Sequence, residues 1–132
     1  MDKEKLKLAV DIVKNSNHTN AFTGAGISVE SGIPAFRGKE GLWSRYDPRC
    51  LDIDYLYHEP DKAWAVIKEI FYDFFGKARP NAGHSALAKL EQAGKLQGII
   101  TQNIDNLHQE AGNSNVIEFH GNSKRLVCLG CG

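Results

Sequence analysis

A glycine-rich run directly after a short apolar segment constrains this chain more than any other feature. Residues 24–38 read GAGISVESGIPAFRG and follow a candidate strand at residues 18–23. A strand that turns through glycines into a helix presents backbone N–H groups to a phosphate. The run therefore predicts an α/β fold with a phosphate-binding loop after its first strand. A tight structural turn is the alternative, because Val29 stands where the common dinucleotide fingerprint has its third glycine.

The rest of the chain alternates short apolar segments with longer helical patterns. The candidate strands are 18–23, 96–101 and 116–119, and the candidate helices are 3–15, 61–79, 84–93 and 104–111. Short strands separated by helices favour a parallel sheet, and about three strands make half of a doubly wound sheet. The apolar face of the helix that begins near Pro60 is predicted to be Trp64, Ile67, Phe71 and Phe74 or Phe75.

Composition is typical of a soluble globular protein and argues against several function classes. The 132 residues fit one domain, and 16 basic and 16 acidic residues give a formal net charge of zero. This removes a general electrostatic attraction to nucleic acid or to an anionic membrane. No apolar run is long enough to span a bilayer, and Met1–Lys5 lacks the apolar core of a signal peptide. The odd count of three cysteines favours a reducing, cytoplasmic location.

Polar side chains follow the second candidate strand, in the segment Gln102-Asn103-Ile104-Asp105. Side chains at the carboxyl end of a parallel strand face the ligand crevice of an α/β sheet. Asn103 or Asp105 could instead cap the helix predicted at 104–111. The two roles are compatible, so the segment remains a candidate binding site.

A histidine and two cysteines follow the third candidate strand. His120 precedes Gly121, and a histidine can accept a proton from an activated hydroxyl group near neutral pH. A structural histidine is the alternative. Cys128-x-x-Cys131 offers two thiolates, which is half of a tetrahedral zinc site. A redox pair is the alternative, although such a pair normally opens a helix after a strand.

Together these segments resemble the sirtuins, the NAD-dependent protein deacylases, from about Ala21 to Gly132. The resemblance implies the N-terminal part of a sirtuin catalytic domain, with a partial Rossmann-like doubly wound sheet, an inserted helical lobe and half of a zinc knuckle. The implied parts are about 1–38 and 95–123 for the Rossmann-like part, about 39–94 for the lobe, and 124–132 for the zinc module.

A sirtuin is about half complete at Gly132. The second cysteine pair that zinc needs, the other strands and the adenosine pocket are therefore expected beyond this residue. The polypeptide alone is expected to be weak or inactive and to self-associate through an open sheet edge.

The resemblance also implies a reaction and the residues that perform it. NAD is consumed as a co-substrate: nicotinamide is released, and the acyl group of an acyl-lysine protein or peptide is transferred to ADP-ribose. His120 would be the general base, and Asn103 would position nicotinamide and water. The residues implied to border NAD are Gly24, Ala25, Gly26, Ser28, Phe36, Arg37, Gln102, Asn103, Ile104 and Asp105. Ala35 departs from the aspartate that sirtuins often carry at this position.

One further departure bears on the acyl group. Gly38-x-x-Gly41-Leu42-Trp43 resembles the sirtuin subclass that removes acidic acyl groups, in which a tyrosine and, three residues later, an arginine bind the acyl carboxylate. Tyr72 matches the tyrosine, but Phe75 occupies the arginine position. A buried carboxylate without a countercharge is unfavourable by several kcal/mol. The sequence therefore predicts neutral acyl groups, with Tyr72 either a substrate contact or a core residue.

Two other functions remain open at this level. A nicotinamide-dependent oxidoreductase would share the glycine loop but would recover its NAD. A non-catalytic NAD- or zinc-binding interaction module would not need His120.

Overall fold

Three parallel strands form the centre of the protein, in a computed structural model that describes residues 2–128 and 130–132, apart from the side chain of Phe74. The strands are β1 (Asn20–Thr23), β2 (Gly98–Thr101) and β3 (Val116–Glu118), in the order β1-β2-β3. Thr23 pairs with Thr101, and Thr101 pairs with Glu118. The carboxyl ends of all three strands therefore meet at one edge, and the predicted parallel α/β sheet is confirmed.

Helical segments connect the strands, and their ends follow from local sequence. Asp2 caps the first helix by accepting hydrogen bonds from the N–H groups of Glu4 and Lys5. Gly94, with φ of +67°, follows the fourth helix. The α-helices are α1 (Lys3–Asn15), α2 (Ile53–His58), α3 (Pro60–Lys68), α4 (Ala82–Gln92) and α5 (Leu107–Glu110), and the 3₁₀ helices are Ala25–Ser31, Leu42–Ser44, Pro48–Leu51 and Phe75–Lys77. Across the described residues, none of the helices combines the length and apolar character needed to cross a membrane.

The prediction for the helix at 61–79 is wrong in two respects. The α-helix ends at Lys68, and the chain continues as a π-helical turn, Glu69–Phe74, before its last 3₁₀ turn. Trp64 is 44% exposed, whereas Ala63 and Ile70 are fully buried. The small side chain of Ala63 allows close packing, so the inward stripe begins one residue before the tryptophan that its size suggested.

The hydrophobic core lies beside the carboxyl edge of the sheet and joins the glycine-rich run to the helical lobe. Phe36, Trp43 and Tyr46 pack against it. Its buried members are Ile33, Leu42, Ile70, Phe75, Ala78 and Leu107. The core therefore supports the region in which the candidate site residues lie.

The two faces of the sheet differ in burial. Ile99 of β2 is 1% exposed on one face. On the other face Phe22, Ile100 and Ile117 occupy paired positions, and Phe22 and Ile117 are 68% and 57% exposed. Parallel sheets are ordinarily covered on both faces, so an apolar face with this much exposure is unusual.

Candidate active site

The three segments singled out from the sequence follow the three strands at one edge of the sheet. The N–H of Gln102 donates to the carbonyl of Thr23 over 3.0 Å, which holds the start of the second segment beside the first. The N–H of Phe119 donates to the carbonyl of Thr101 over 2.9 Å, which places His120 next along this edge. The crevice therefore forms where an α/β sheet is expected to bind ligands.

The glycine-rich run forms a 3₁₀ helix, Ala25–Ser31, that begins at Gly24 and stops at Gly32. Gly32 has φ of +87°, a conformation that requires glycine. Gly24 is extended, and a Cβ built on it comes no nearer than 3.6 Å to the Gln102 side chain. A Cβ on Gly26 meets nothing within 4 Å. The fold thus has room for side chains at both positions, which favours close ligand approach over a structural turn as the reason for these glycines.

A buried hydrogen-bond network joins the glycine run to the segment after β2. The hydroxyl of Ser28 donates to Asp105 Oδ2 over 2.6 Å. The amide of Asn103 donates to Ser28 Oγ and to the carbonyl of Gly24, each over 3.1 Å. All three polar side chains are at least nine-tenths buried. Buried polar groups of this kind are stable only when they are hydrogen-bonded, and here their bonds fix the crevice wall.

Asp105 also caps a helix, as the sequence allowed. Its Oδ1 accepts a hydrogen bond from the N–H of Leu107 over 3.0 Å. The helix predicted at 104–111 is too long, because Asn106 has φ of +64° and α5 begins only at Leu107. The left-handed residue separates the ligand-facing segment from the helix.

A cleft of about 310 Å³ joins residues from all three segments. It places His120, at the end of β3, opposite Phe36 and Arg37 of the glycine-rich run. The residues that line the cleft are Ala25, Phe36, Arg37, Trp43, Gln102, Asn103 and His120. Six of these seven are candidate site residues from the sequence, and Trp43 is the addition.

Beside this cleft lies a small pocket of about 10 Å³, which is room for roughly one water molecule. Ser28, Asn103, Ile104 and Asp105 line it, with Phe36 between it and the cleft. Phe75 lies on the far side, where it borders both the pocket and an outer cavity of about 380 Å³.

Tyr72 lines the outer cavity and is 52% exposed. This exposure contradicts the alternative that Tyr72 is a core residue. It does not line the cleft that contains His120. Tyr72 and His120 therefore line different cavities of the structure.

Cys128 and Cys131 are exposed near the last described residues. Hydrogen bonds from the Gly130 N–H and the Cys131 thiol lower the pKa of the Cys128 thiol. A turn that favours thiolate fits half of a zinc site. Within the described ranges, no three His, Cys, Asp or Glu side chains are grouped to hold a metal ion.

Comparison with known proteins identifies the family. The sequence profile of the Sir2 family matches residues 24–132. This chain belongs to the Sir2 family. It is 54% identical over 123 residues to an NAD-dependent protein deacetylase of Caldivirga maquilingensis, covering 93% of this chain and 48% of that protein. An NAD-dependent protein deacetylase of Thermotoga maritima is 44% identical over 127 residues, covering 96% of this chain and 51% of that protein.

Solved structures agree with this assignment. A Sir2 protein with a deacetylated p53 peptide and 3'-O-acetyl ADP-ribose superposes with a TM-score of 0.88 at 43% identity, covering 96% of this chain and 51% of that one. A Sir2 complex with a p53 peptide and NAD gives a TM-score of 0.86 at 43% identity, covering 96% and 50%. The chain thus spans about half the length of the Sir2 proteins it matches.

Two buried histidines of this Sir2-family chain had no binding or catalytic role predicted from the sequence. His84 and His108 are 0% and 1% exposed, and their ring centroids are 4.9 Å apart. Burial lowers the pKa of both imidazoles. The sequence did contain a signal for a structural role of His84. Asn81 lies three residues before it, and this spacing is typical of a helix N-cap that bonds to the side chain of the third helical residue.

Proposed function

We propose that this chain supplies the NAD-binding and base-carrying part of an NAD-dependent protein-lysine deacylase. The observation that carries the proposal is the cleft in which the glycine-rich run, Asn103 and His120 meet. The Sir2-family match, together with relatives named NAD-dependent protein deacetylase, supports this reading. Because the chain spans about half of those relatives, the polypeptide alone is expected to be weak or inactive.

The proposed reaction releases nicotinamide from NAD and transfers the acyl group of a modified lysine to ADP-ribose. The backbone around Gly24 and Gly26 would accommodate the pyrophosphate closely, because neither residue has a side chain in the way. Arg37 lines the cleft and would contact the phosphate and ribose with a charged donor. Asn103 and Asp105 would orient nicotinamide and water, since their side chains line the adjoining pocket.

His120 would act as the general base. Its side chain is exposed at the cleft, so an imidazole nitrogen is accessible to a ribose hydroxyl of a bound co-substrate. Imidazole accepts protons in the neutral pH range and commonly contributes a factor of about 10² to 10⁴ to such reactions. Loss of this proton would let the ribose oxygen bond to the acyl carbon, and the bond from that carbon to the lysine nitrogen would break, releasing the lysine amine.

Neutral acyl groups, acetyl among them, are the proposed substrates. Phe75 is buried against Phe71, with ring centroids 5.2 Å apart, so the predicted arginine position is apolar. Two basic side chains, Arg79 and Lys124, and two acidic ones, Asp105 and Glu110, line the outer cavity, so its formal charges balance, and Lys124 is already paired with Glu110. An acidic acyl chain would therefore meet no free excess of positive charge.

Zinc is proposed as a structural metal of the complete protein. Cys128 and Cys131 would supply two of its four ligands, and the lowered pKa of Cys128 supports a thiolate donor. A second cysteine pair outside residues 1–132 would supply the others.

A cytoplasmic location is also proposed. It is supported by the odd number of cysteines.

A chimera tests the proposed activity directly. Residues 1–132 are joined to the part of the Caldivirga maquilingensis relative that they do not match, and the protein is mixed with NAD and an acetyl-lysine peptide. Mass spectrometry is expected to detect nicotinamide and O-acetyl-ADP-ribose in equal amounts. His120→Ala should lower the rate by about 10² or more, whereas His58→Ala, at an exposed position outside the cleft, should leave it unchanged.

Three results would contradict the proposal. The absence of nicotinamide release from both the folded wild-type chimera and His120→Ala would favour a non-catalytic NAD- or zinc-binding module. Appearance of reduced nicotinamide absorbance with a hydroxylated substrate would favour an oxidoreductase. Faster removal of succinyl than of acetyl groups would overturn the neutral acyl preference.

A further inference from the structure

A buried polar column behind the glycine run has no part in the proposed reaction. At one end, His108 Nε2 of α5 lies 2.9 Å from Thr23 Oγ1, in the last residue of β1. Thr23 is directly followed by Gly24, where the 3₁₀ helix is capped. The contact therefore joins α5 to the N-terminal end of the glycine run.

The other end of the column reaches the opposite end of the same run. The Asn81 side-chain amide donates to the carbonyl of Ile27 over 2.6 Å and to Ser31 Oγ over 3.0 Å. The Asn81 N–H donates to His84 Nδ1 over 3.3 Å. The rings of His84 and His108, tilted by 58° with centroids 4.9 Å apart, complete the column between the two ends.

We propose that His108 is a positioning residue whose neutral ring holds the N-terminal end of the glycine run through Thr23, as the neutral ring of His84 holds the opposite end through Asn81. The functional consequence rests on the proposed function, in which the run binds the NAD pyrophosphate. The two contacts form a brace, which would keep the backbone of residues 24–28 fixed before the ligand arrives. Preorganisation of this kind raises affinity by reducing the ordering needed on binding.

The requirement for neutral rings follows from the hydrogen bonds. Because the Asn81 N–H donates to Nδ1 of His84, the neutral ring carries its hydrogen on Nε2. A second proton on Nδ1 would face the Asn81 N–H and break this half of the helix cap. A charged His108 would lie fully buried against the other ring. The only other ionisable group found to act on both rings among the described residues is Asp105, which partly opposes these effects.

Hydrogen exchange on the 132-residue chain tests the brace without any ligand. The reporters are the Ile27 amide, bonded to Gly24 at the Thr23 end, and the Gly32 amide, bonded to Val29 at the Asn81 end. Between pH 7.5 and 5.0, after correction for intrinsic rates, the wild type should lose about tenfold protection at both, the order expected for the loss of one hydrogen bond. The Ile99 amide within the sheet, bonded to Asn115, serves as the internal reference.

His108→Gln supplies an amide that does not titrate and can still hydrogen-bond to Thr23. It should keep wild-type protection of the Ile27 amide at pH 7.5 and lose none at pH 5.0, while the Gly32 amide still responds to acid. Thr23→Val should lower Ile27 protection at both pH values. His18→Gln, at an exposed histidine, should behave as the wild type.

Two results would overturn the brace. One is unchanged protection of the Ile27 amide in Thr23→Val, and the other is a wild-type acid response of this amide in His108→Gln.

Titration of the chimera with ADP-ribose at the same two pH values separates this inference from the proposed function. Weaker binding at pH 5.0 in the wild type, with a smaller change in His108→Gln, supports the functional role of the brace. If the exchange pattern appears but the wild-type chimera does not bind ADP-ribose, the proposed function fails and the brace stands. If ADP-ribose binds with the same pH dependence in every variant, the functional role of the brace is wrong. If His108→Gln does not fold, Thr23→Val decides the question through the Ile27 amide at pH 7.5.

Discussion

The carboxyl edge of the sheet and its exposed face use the same strands in opposite ways. At the edge, Ser28, Asn103 and Asp105 are polar, buried and mutually hydrogen-bonded. On the face, Phe22 and Ile117 are apolar and largely exposed. Buried polar groups need partners in fixed positions, whereas apolar burial depends mainly on area. The comparison shows that hydrogen bonds between distant segments hold the site residues in place, whereas the exposed face contributes no bonds of this kind.

The largest expected effect is on the buried face. Ile99→Ser removes an aliphatic side chain with 1% exposure and places a hydroxyl in the core. The free energy of unfolding should fall by about 3 to 5 kcal/mol, the range for large core truncations. Urea denaturation followed by circular dichroism measures it. A loss below about 1 kcal/mol would mean that this face is less well packed than the structure shows.

Asp105→Ala should have the next largest effect, at the carboxyl edge. It leaves the buried Ser28 hydroxyl without its acceptor and the Leu107 N–H without its cap. The expected loss is about 3 kcal/mol in the free energy of unfolding, by the same urea measurement. Asp105→Asn keeps an oxygen for Leu107 and should lose less. Equal stabilities for wild type and Asp105→Ala would contradict the view that this network fixes the site.

Acid should destabilise the protein in two separate ranges. The pKa values of His84 and His108 are lowered by burial, so the unfolded state binds more protons and stability falls as the pH drops below 6.5. Hydrogen bonds from Ser114 and Asn113 lower the pKa of Glu91 from 4.5 to about 2, so its contribution is lost as the pH falls from about 4.5 through 2.

The variant Glu91→Gln isolates the second range. The side chain is partly exposed and the glutamine keeps an acceptor oxygen, so the expected loss at neutral pH is below about 1 kcal/mol. Its stability should change less than that of the wild type between pH 4.5 and 2, and equally between pH 6.5 and 5. Thermal unfolding across pH measures both ranges. A variant curve parallel to the wild type below pH 4.5 would exclude Glu91 as the group responsible.

The smallest expected effect is on the exposed face. Phe22→Ser removes a side chain that is 68% exposed, so the free energy of unfolding should change by about 0.5 kcal/mol or less. The same substitution type at Ile99, one strand away on the opposite face, provides the comparison. Light scattering should show less self-association for Phe22→Ser, because an exposed apolar group is removed. A loss comparable to that of Ile99→Ser would show that the face is covered in solution.

The sequence predicted the strands and the positions of the candidate residues because local signals mark both. Apolar segments end at glycine or at polar side chains, and this punctuation placed Gly24, Gln102 and His120 at strand ends. The three parallel strands then followed from their separation by helices. These features depend on residues close together in the chain.

The rest depends on contacts between distant residues. Asn81 reaches Ile27 and Ser31, and His108 reaches Thr23, through bonds that no local pattern encodes. The π-helical turn at Glu69–Phe74 likewise changes the register of a helix whose sequence period looked regular. Packing decided these features, so periodicity alone could not predict them.

Calorimetric titration of NAD into the chimera with the Caldivirga maquilingensis relative tests the central claim most directly. The account predicts saturable binding to the wild type, and binding at least about tenfold weaker to Gly24→Ala with an unchanged Tm. The reason is that a Cβ at Gly24 has room in the fold but would intrude on a closely bound pyrophosphate. A folded wild-type chimera that does not bind NAD, or a Gly24→Ala variant that binds it equally well, would contradict the account.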